Sequence, residues 1–201
     1  MARRNDHTRE ELIALTLNNV KDFLDAHSHH ELSLRKIAAM IGYVPSTLIN
    51  IFGSYNLLLL EVVANTLDEL ALEAKQQVVT AHTPDQAIRI LANCYLSYAK
   101  SHPYRWQLIF QHKMPGDELP DWQNNRINNL TAMLEGQVAN LTGLEDNREI
   151  EKISRVLWAG VHGITLLSVD DKLFANNVVS GAELIDNLID NYLSPWRRKE
   201  A

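Results

Sequence analysis

The stretch LRKIAAMIGYVPSTLINIF, Leu34 to Phe52, decides how this chain is read. Leu34, Ile37, Ala38 and Ile41 keep helical spacing. Gly42 tolerates a positive φ and ends a first short helix, and Pro45 fits the first turn of a new one. The reading is two short helices joined by a few residues, a helix-turn-helix, rather than one damaged helix. In such a unit the second helix aims its N-terminal side chains at base edges in the major groove. Those side chains here are Pro45, Ser46, Thr47 and Asn50, with Leu48, Phe52 and one of Ile49 and Ile51 left for packing. Ala38 stands where the two helices must approach closely. Helix-turn-helix units also serve as plain architecture, so the surroundings decide.

Outward from this stretch, helix signals follow one another. Thr8 with Glu11 forms a capping-box pattern, and Ile13, Leu17, Val20 and Leu24 make an apolar stripe behind it. DAHSHHEL is a polar connection, Ser33 caps the first short helix, and Ser54 caps a long helix running to about Gln77. Thr83-Pro84-Asp85-Gln86 opens a helix bearing Ala87, Leu91, Cys94, Tyr95 and Tyr98. PYRWQLIFQHK reads as another helix, MPGDELP as a loop, and Asp121–Leu141 as a helix stopped by Gly143. Asp146 with Glu149, and Ser180 with Glu183, each open one more. About nine helices result, with no repeat and no low-complexity segment. A domain boundary falls inside the helix after Ser54, and a helix shared in this way would link the two parts rigidly.

The order of these elements resembles the TetR family of bacterial transcriptional regulators. Leu34, Ile37, Ala38, Gly42, Thr47, Leu48, Phe52, Leu57 and Leu58 stand in register with that family's N-terminal signature. LWAGVHG, with Trp158, His162 and Gly163, and SHPYRWQLIF upstream are similar to the WHG-type C-terminal domain of some TetR-like regulators. The resemblance implies an all-α protein. An N-terminal three-helix helix-turn-helix DNA-binding domain, residues 1–54, joins a larger helical ligand-binding and dimerisation domain, residues 55–201. It implies a cytoplasmic regulator, expected to be a repressor, that binds a palindromic double-stranded DNA operator as a homodimer and answers to a small-molecule effector.

Ser33, Arg35, Pro45, Ser46, Thr47, Asn50, Ser54 and Tyr55 are then the expected DNA contacts. The sequence departs from the family at Ile49, which replaces a tyrosine, and at Tyr55, which replaces a lysine; both family residues typically grip phosphates. Ile51 replaces an aromatic residue or histidine. A helical adaptor that binds other proteins is the alternative. A regulator keeps the outward face of 45–52 small and polar, whereas an adaptor exposes apolar or charged anchors there.

Tyr95, Tyr98, Trp106, Phe110, Trp122, Met133, Trp158 and His162 are the large groups expected around a ligand chamber. The same set could equally be core, and His162 could be a buried core histidine. The final helices carry Ile150, Ile153, Leu157 and Val161, then Leu184, Leu188 and Tyr192; the family's dimers form on the corresponding pair.

Composition bounds the rest. The chain has 201 residues, is 46% hydrophobic and carries a net charge of −6. Residues 1–60 hold six basic and six acidic side chains, so the acidic excess lies entirely beyond them. A polyanion is welcome only near the start. No apolar run reaches membrane-spanning length, and MARRNDHTREE lacks the apolar centre of a signal peptide. The single cysteine, Cys94, fits a reducing compartment and reads as a small core residue rather than a redox sensor. His27, His29 and His30 read as a solvated loop, not a metal site, and the RRK run at 197–199 as a frayed tail. There is no glycine-rich phosphate loop, no G-x-S-x-G and no H-E-x-x-H, so no enzyme and no cofactor is expected.

Overall fold

Capping chemistry sets most of the helix starts in the computed structural model, which describes residues 7–114, 119–170 and 179–197. Among these the chain forms nine α-helices and no strand. They are α1 (Arg9–Leu24), α2 (Leu34–Met40), α3 (Pro45–Phe52), α4 (Tyr55–Val78), α5 (Pro84–Ser101), α6 (Pro103–Gln111), α7 (Asp121–Thr142), α8 (Asn147–Asp170) and α9 (Gly181–Leu193). The Thr8 hydroxyl accepts from the Glu11 amide at 3.2 Å while Glu11 accepts from the Thr8 amide at 2.7 Å. Ser180 and Glu183 repeat that exchange at α9. Thr83 accepts from the Gln86 amide, and Gln86 reaches back to the amide of His82. The expected Asp146–Glu149 pair differs, because Asp146 accepts from the amide of Arg148 instead. MPGDELP lies mostly outside the described residues.

The chain divides into two compact units. The first comprises Met1–Leu67 with His102–Leu119, the second Asp68–Ser101 with Pro120–Ala201. The division falls inside α4, after Leu67, and α6 belongs with the first unit. The physical reason is packing: α6 lies against α1 and against a 3-10 turn at His29–Glu31. Arg105 of α6 is 2% exposed, and its Nε sits 3.1 Å from Asp25 at the end of α1. HSHH is therefore a capped turn with a neighbour, not a bare solvated loop. Burial and the nearby His30 and His112 hold the His29 ring below its ordinary pKa.

In the first unit the buried stripe of α1 is Leu12, Thr16, Val20 and Leu24, so the first half of the expected stripe is one residue out of register. Thr16 hides its polarity by donating to the Leu12 carbonyl at 2.6 Å. A polar residue satisfied within its own helix can occupy a core position. Ala38, 1% exposed, lies at the packed junction of α2 and α3. Gly42 has φ +75°, and beside it the Tyr43 amide returns to the Ala38 carbonyl at 2.9 Å, closing α2.

The second unit is built on α5, α7, α8 and α9 around Ile88, Leu96, Val138, Leu157, Ile185 and Ile189. Helices α8 and α9 touch closely at Gly160, where an added Cβ would lie 2.6 Å from Leu188 Cδ2. Cys94 is 2% exposed, and burial pushes its thiol up to about 11, which leaves it an unreactive core residue. Arg197 is not frayed: it bonds Asp85 and Asp190, and these carboxylates also hold Arg89. Residues 198 and 199 lie outside the described residues.

Candidate nucleic-acid interface and ligand cavity

Helix α3 starts without a side-chain cap, because Val44 occupies that position and Pro45 follows. Leu48 is fully buried and fixes which side of α3 faces the core. Ser46 and Asn50 are consequently exposed, with Pro45 and Thr47 half-buried beside them. Ile49 is 38% exposed and Ile51 more buried, so Ile51 is the one that packs. Val44, 59% exposed, was not singled out from sequence; its place at an uncapped helix start is the signal that could have found it. No charged residue lies on α3.

Around α3, Ser33 is exposed and its hydroxyl accepts from the Lys36 amide at 3.2 Å, with Arg35 exposed next to it. Ser54 accepts from the Leu57 amide at 3.0 Å and so satisfies one of α4's free amides. Tyr55 is half-buried, and burial raises its pKa, which keeps the phenol neutral. Arg9 donates to the Ile51 carbonyl at 2.9 Å near the end of α3. The face is small, mixed polar and apolar, and takes its charge from Arg35 and Arg9 beside α3 rather than from α3 itself.

The second unit holds a partly open cavity of about 120 Å³ walled by α4, α5, α7 and α8. Tyr95, Met133 and Trp158 line it, as do Ile88, Leu157 and Val161. His162 stands behind this wall. Its Nδ1 shares a 2.8 Å hydrogen bond with the Tyr95 hydroxyl, and its ring stacks on Trp158 with centroids 5.2 Å apart. Burial lowers the His162 pKa, which favours the neutral ring. The other expected lining residues lie elsewhere. Trp106 is fully buried in the first unit, edge-on to Phe110, because α6 packs there. Tyr98 is buried with its hydroxyl 3.4 Å from Glu69, and Trp122 is 36% exposed with Arg126 over its ring. Ser154, also a lining residue, was missed from sequence because a lone serine on a helix carries no signal.

The α8 half of the expected dimer stripe also lies elsewhere, while Leu184, Leu188 and Tyr192 of α9 are half-buried. Ile150, Ile153, Leu157 and Val161 are buried in the unit's own core. On another side of α8, Val156, Ala159 and Leu166 are exposed, and Gly163 has open space beside it. Among the described residues no group of His, Cys, Asp and Glu gathers as metal ligands, and no single helix is long and apolar enough to cross a membrane.

A family model described as "Tetracyclin repressor-like, C-terminal domain" matches residues 88–192, more than half of the chain. The chain belongs to the TetR family of transcriptional regulators. Solved structures agree in fold with this TetR-family chain. A protein of unknown function from Rhodococcus sp. RHA1 superposes with TM-score 0.78 at 19% identity, over 98% of this chain and 100% of that one. A TetR-family transcriptional regulator from Streptomyces coelicolor gives 0.67 at 17%, over 94% and 99%. AibR, in complex with isovaleryl coenzyme A and operator DNA, gives 0.62 at 13%, over 92% and 97%. No curated protein matches the sequence significantly.

Proposed function

We propose that this TetR-family chain is a cytoplasmic DNA-binding regulator, a repressor. In this reading it grips a two-fold operator as a homodimer and changes its hold when a small molecule enters the cavity of the second unit. The observation that carries it is α3: buried Leu48 turns Ser46, Thr47 and Asn50 outward on a helix with no charge of its own. Ser and Thr reach either base, and Asn pairs bidentately with adenine. Val44 and Ile49 offer apolar contact to thymine methyl groups, so the half-site would favour A·T pairs. Ser33, Arg35, Ser54 and Tyr55 flank α3 and would position it on the backbone rather than read sequence.

Two further observations support the remaining parts. The stripe of Val156, Ala159, Gly163 and Leu166 is apolar and accessible, as a face met by a second copy should be. AibR, of similar fold, is held with an acyl coenzyme A and operator DNA, which makes a joint response to both kinds of ligand a reasonable expectation here. Sequencing genomic fragments retained by the purified protein tests the reading; a common A·T-rich inverted repeat is the expected result.

Val44 and Ile49 also favour a second reading, because an adaptor would expose apolar anchors there. Failure to retain any duplex DNA at low salt would select it.

A further inference from the structure

Ser154 of α8 lines the cavity, is 3% exposed, and its hydroxyl has no hydrogen-bond partner among the described residues. A buried hydroxyl on a helix can donate to the carbonyl four residues back, as Thr16 and Thr66 do at 2.6 and 2.9 Å. Ser154 does not. An unsatisfied buried hydroxyl is costly, so its retention points to a partner supplied from elsewhere. Gln123 and Thr165 also carry unpartnered buried atoms, but neither lines the cavity.

Charge narrows the partner. Glu135 and Arg155 are the ionisable residues in the wall apart from Tyr95. Arg155 is turned toward Glu151 on its own helix, 3.2 Å away, with both side chains more than half exposed. Nothing in the wall offers a buried cation to an anionic ligand. A cationic head beside Ser154 would exchange its hydration for a single hydroxyl, and the one carboxylate in the wall, Glu135, is only half-buried and stands on α7 rather than on the helix of Ser154. Thr131 donates its hydroxyl to the Asn128 carbonyl at 3.1 Å, and Ile88, Ala92, Leu130, Leu157 and Val161 make much of the remaining wall apolar. Size narrows it again: the cavity, about 120 Å³, is somewhat smaller than the apolar cavity of about 150 Å³ that takes up benzene.

We propose that the cavity takes an uncharged molecule whose enclosed part is a compact apolar group of about six heavy atoms, carrying one oxygen that hydrogen-bonds Ser154. Small cyclic or branched alcohols and ketones form this class. The proposal rests on the effector reading above and specifies its ligand.

Calorimetric titration of the full chain with cyclohexanol, cyclohexanecarboxylate and cyclohexylammonium tests it, with the ring held constant while the head changes. Cyclohexanol is expected to bind one per chain, at least about tenfold tighter than either ion, given what an unpaired buried charge loses. Ser154→Ala should weaken cyclohexanol about five- to tenfold, the loss of one neutral hydrogen bond. This variant removes an unsatisfied group from a helix and should fold, so weakened binding is attributable to the contact. An ion that binds as tightly as the alcohol overturns the proposal, as does cyclohexanol binding that is absent or indifferent to Ser154→Ala. Anisotropy of labelled operator DNA, read in parallel, separates this from the effector reading. Alcohol binding that leaves DNA affinity unchanged upholds the ligand class and defeats the effector reading. Release of DNA by the carboxylate or ammonium alone does the reverse.

Discussion

Tyr95 and His162, 67 residues apart in the chain, share a 2.8 Å hydrogen bond that braces the cavity wall from behind. Tyr95 lines the cavity and His162 does not; the histidine acts through Tyr95 and the stacked Trp158. His162→Phe keeps the ring but leaves the phenol without this partner. It should cost about 1 kcal/mol of stability and weaken ligand binding while duplex binding by the ligand-free protein stays unchanged. Thermal unfolding beside a ligand titration checks both halves.

A pH effect follows from the same residue. Burial holds His162 below its ordinary value of 6.5, and His29 and His112 are lowered for the same leading reason. The unfolded chain then takes up protons before the folded one. Stability is full above 6.5 and is lost as pH falls from there through the folded values. Replacing His162 with Gln should flatten this decline, measured as melting temperature from pH 7.5 to 5 relative to the unmodified chain. An unchanged pH profile would show that the ring titrates as it does in the unfolded chain.

Much of the fold was legible because helix ends are local chemistry. Thr8 with Glu11, Thr83 with Gln86, Ser180 with Glu183, and Gly42 before Pro45 each act within a few residues. What escaped was non-local or hidden. The burial of Thr16 depends on a bond to Leu12 that no hydropathy pattern displays. Trp106 is expected at the chamber as one of the large groups of the second domain. Yet α6 packs against α1, and a chain segment's neighbours in space are not its neighbours in sequence. Arg197 finds Asp85 across 112 residues, a pairing invisible in the RRK run. Met133 and Trp158 were legible as cavity residues, whereas Ser154 matters through a missing partner that only the packed structure reveals.

The junction at Ala38 is packed tightly enough to test. Ala38→Leu should cost about 1–3 kcal/mol by overpacking and should weaken duplex binding beyond the loss of folded protein. Denaturant melts combined with binding titrations corrected for the folded fraction measure the two effects. An unchanged melt would place the helix crossing elsewhere.

Association should depend on the apolar stripe of α8. Leu166→Glu places a charge on an exposed position, so the isolated chain should keep its melting behaviour, within about 0.5 kcal/mol. If two copies meet there, sedimentation at micromolar concentration should shift from dimer to monomer. A variant that remains dimeric removes this face from the interface.

Phosphate contacts can be restored. Tyr55→Lys in a dimer adds two cationic contacts, which should steepen the slope of log affinity against log salt by roughly 1.8. Affinity should rise on any duplex, because such contacts position without reading bases. A salt series showing an unaltered slope would mean that the start of α4 does not approach the backbone.

The central claim is that the outward face of α3 reads bases, and substitution of thymine by uracil in the retained operator tests it most directly. The change removes methyl groups and leaves every hydrogen-bonding edge intact. Val44 and Ile49 predict a loss of affinity for the uracil duplex. That loss should vanish in a Val44→Ala, Ile49→Ala double variant, while Asn50→Ala should weaken specific binding by about 1–3 kcal/mol and spare random DNA. Equal affinity for both duplexes, together with silent Asn50→Ala and Thr47→Ala variants, would contradict the account and leave α3 as a protein-binding surface.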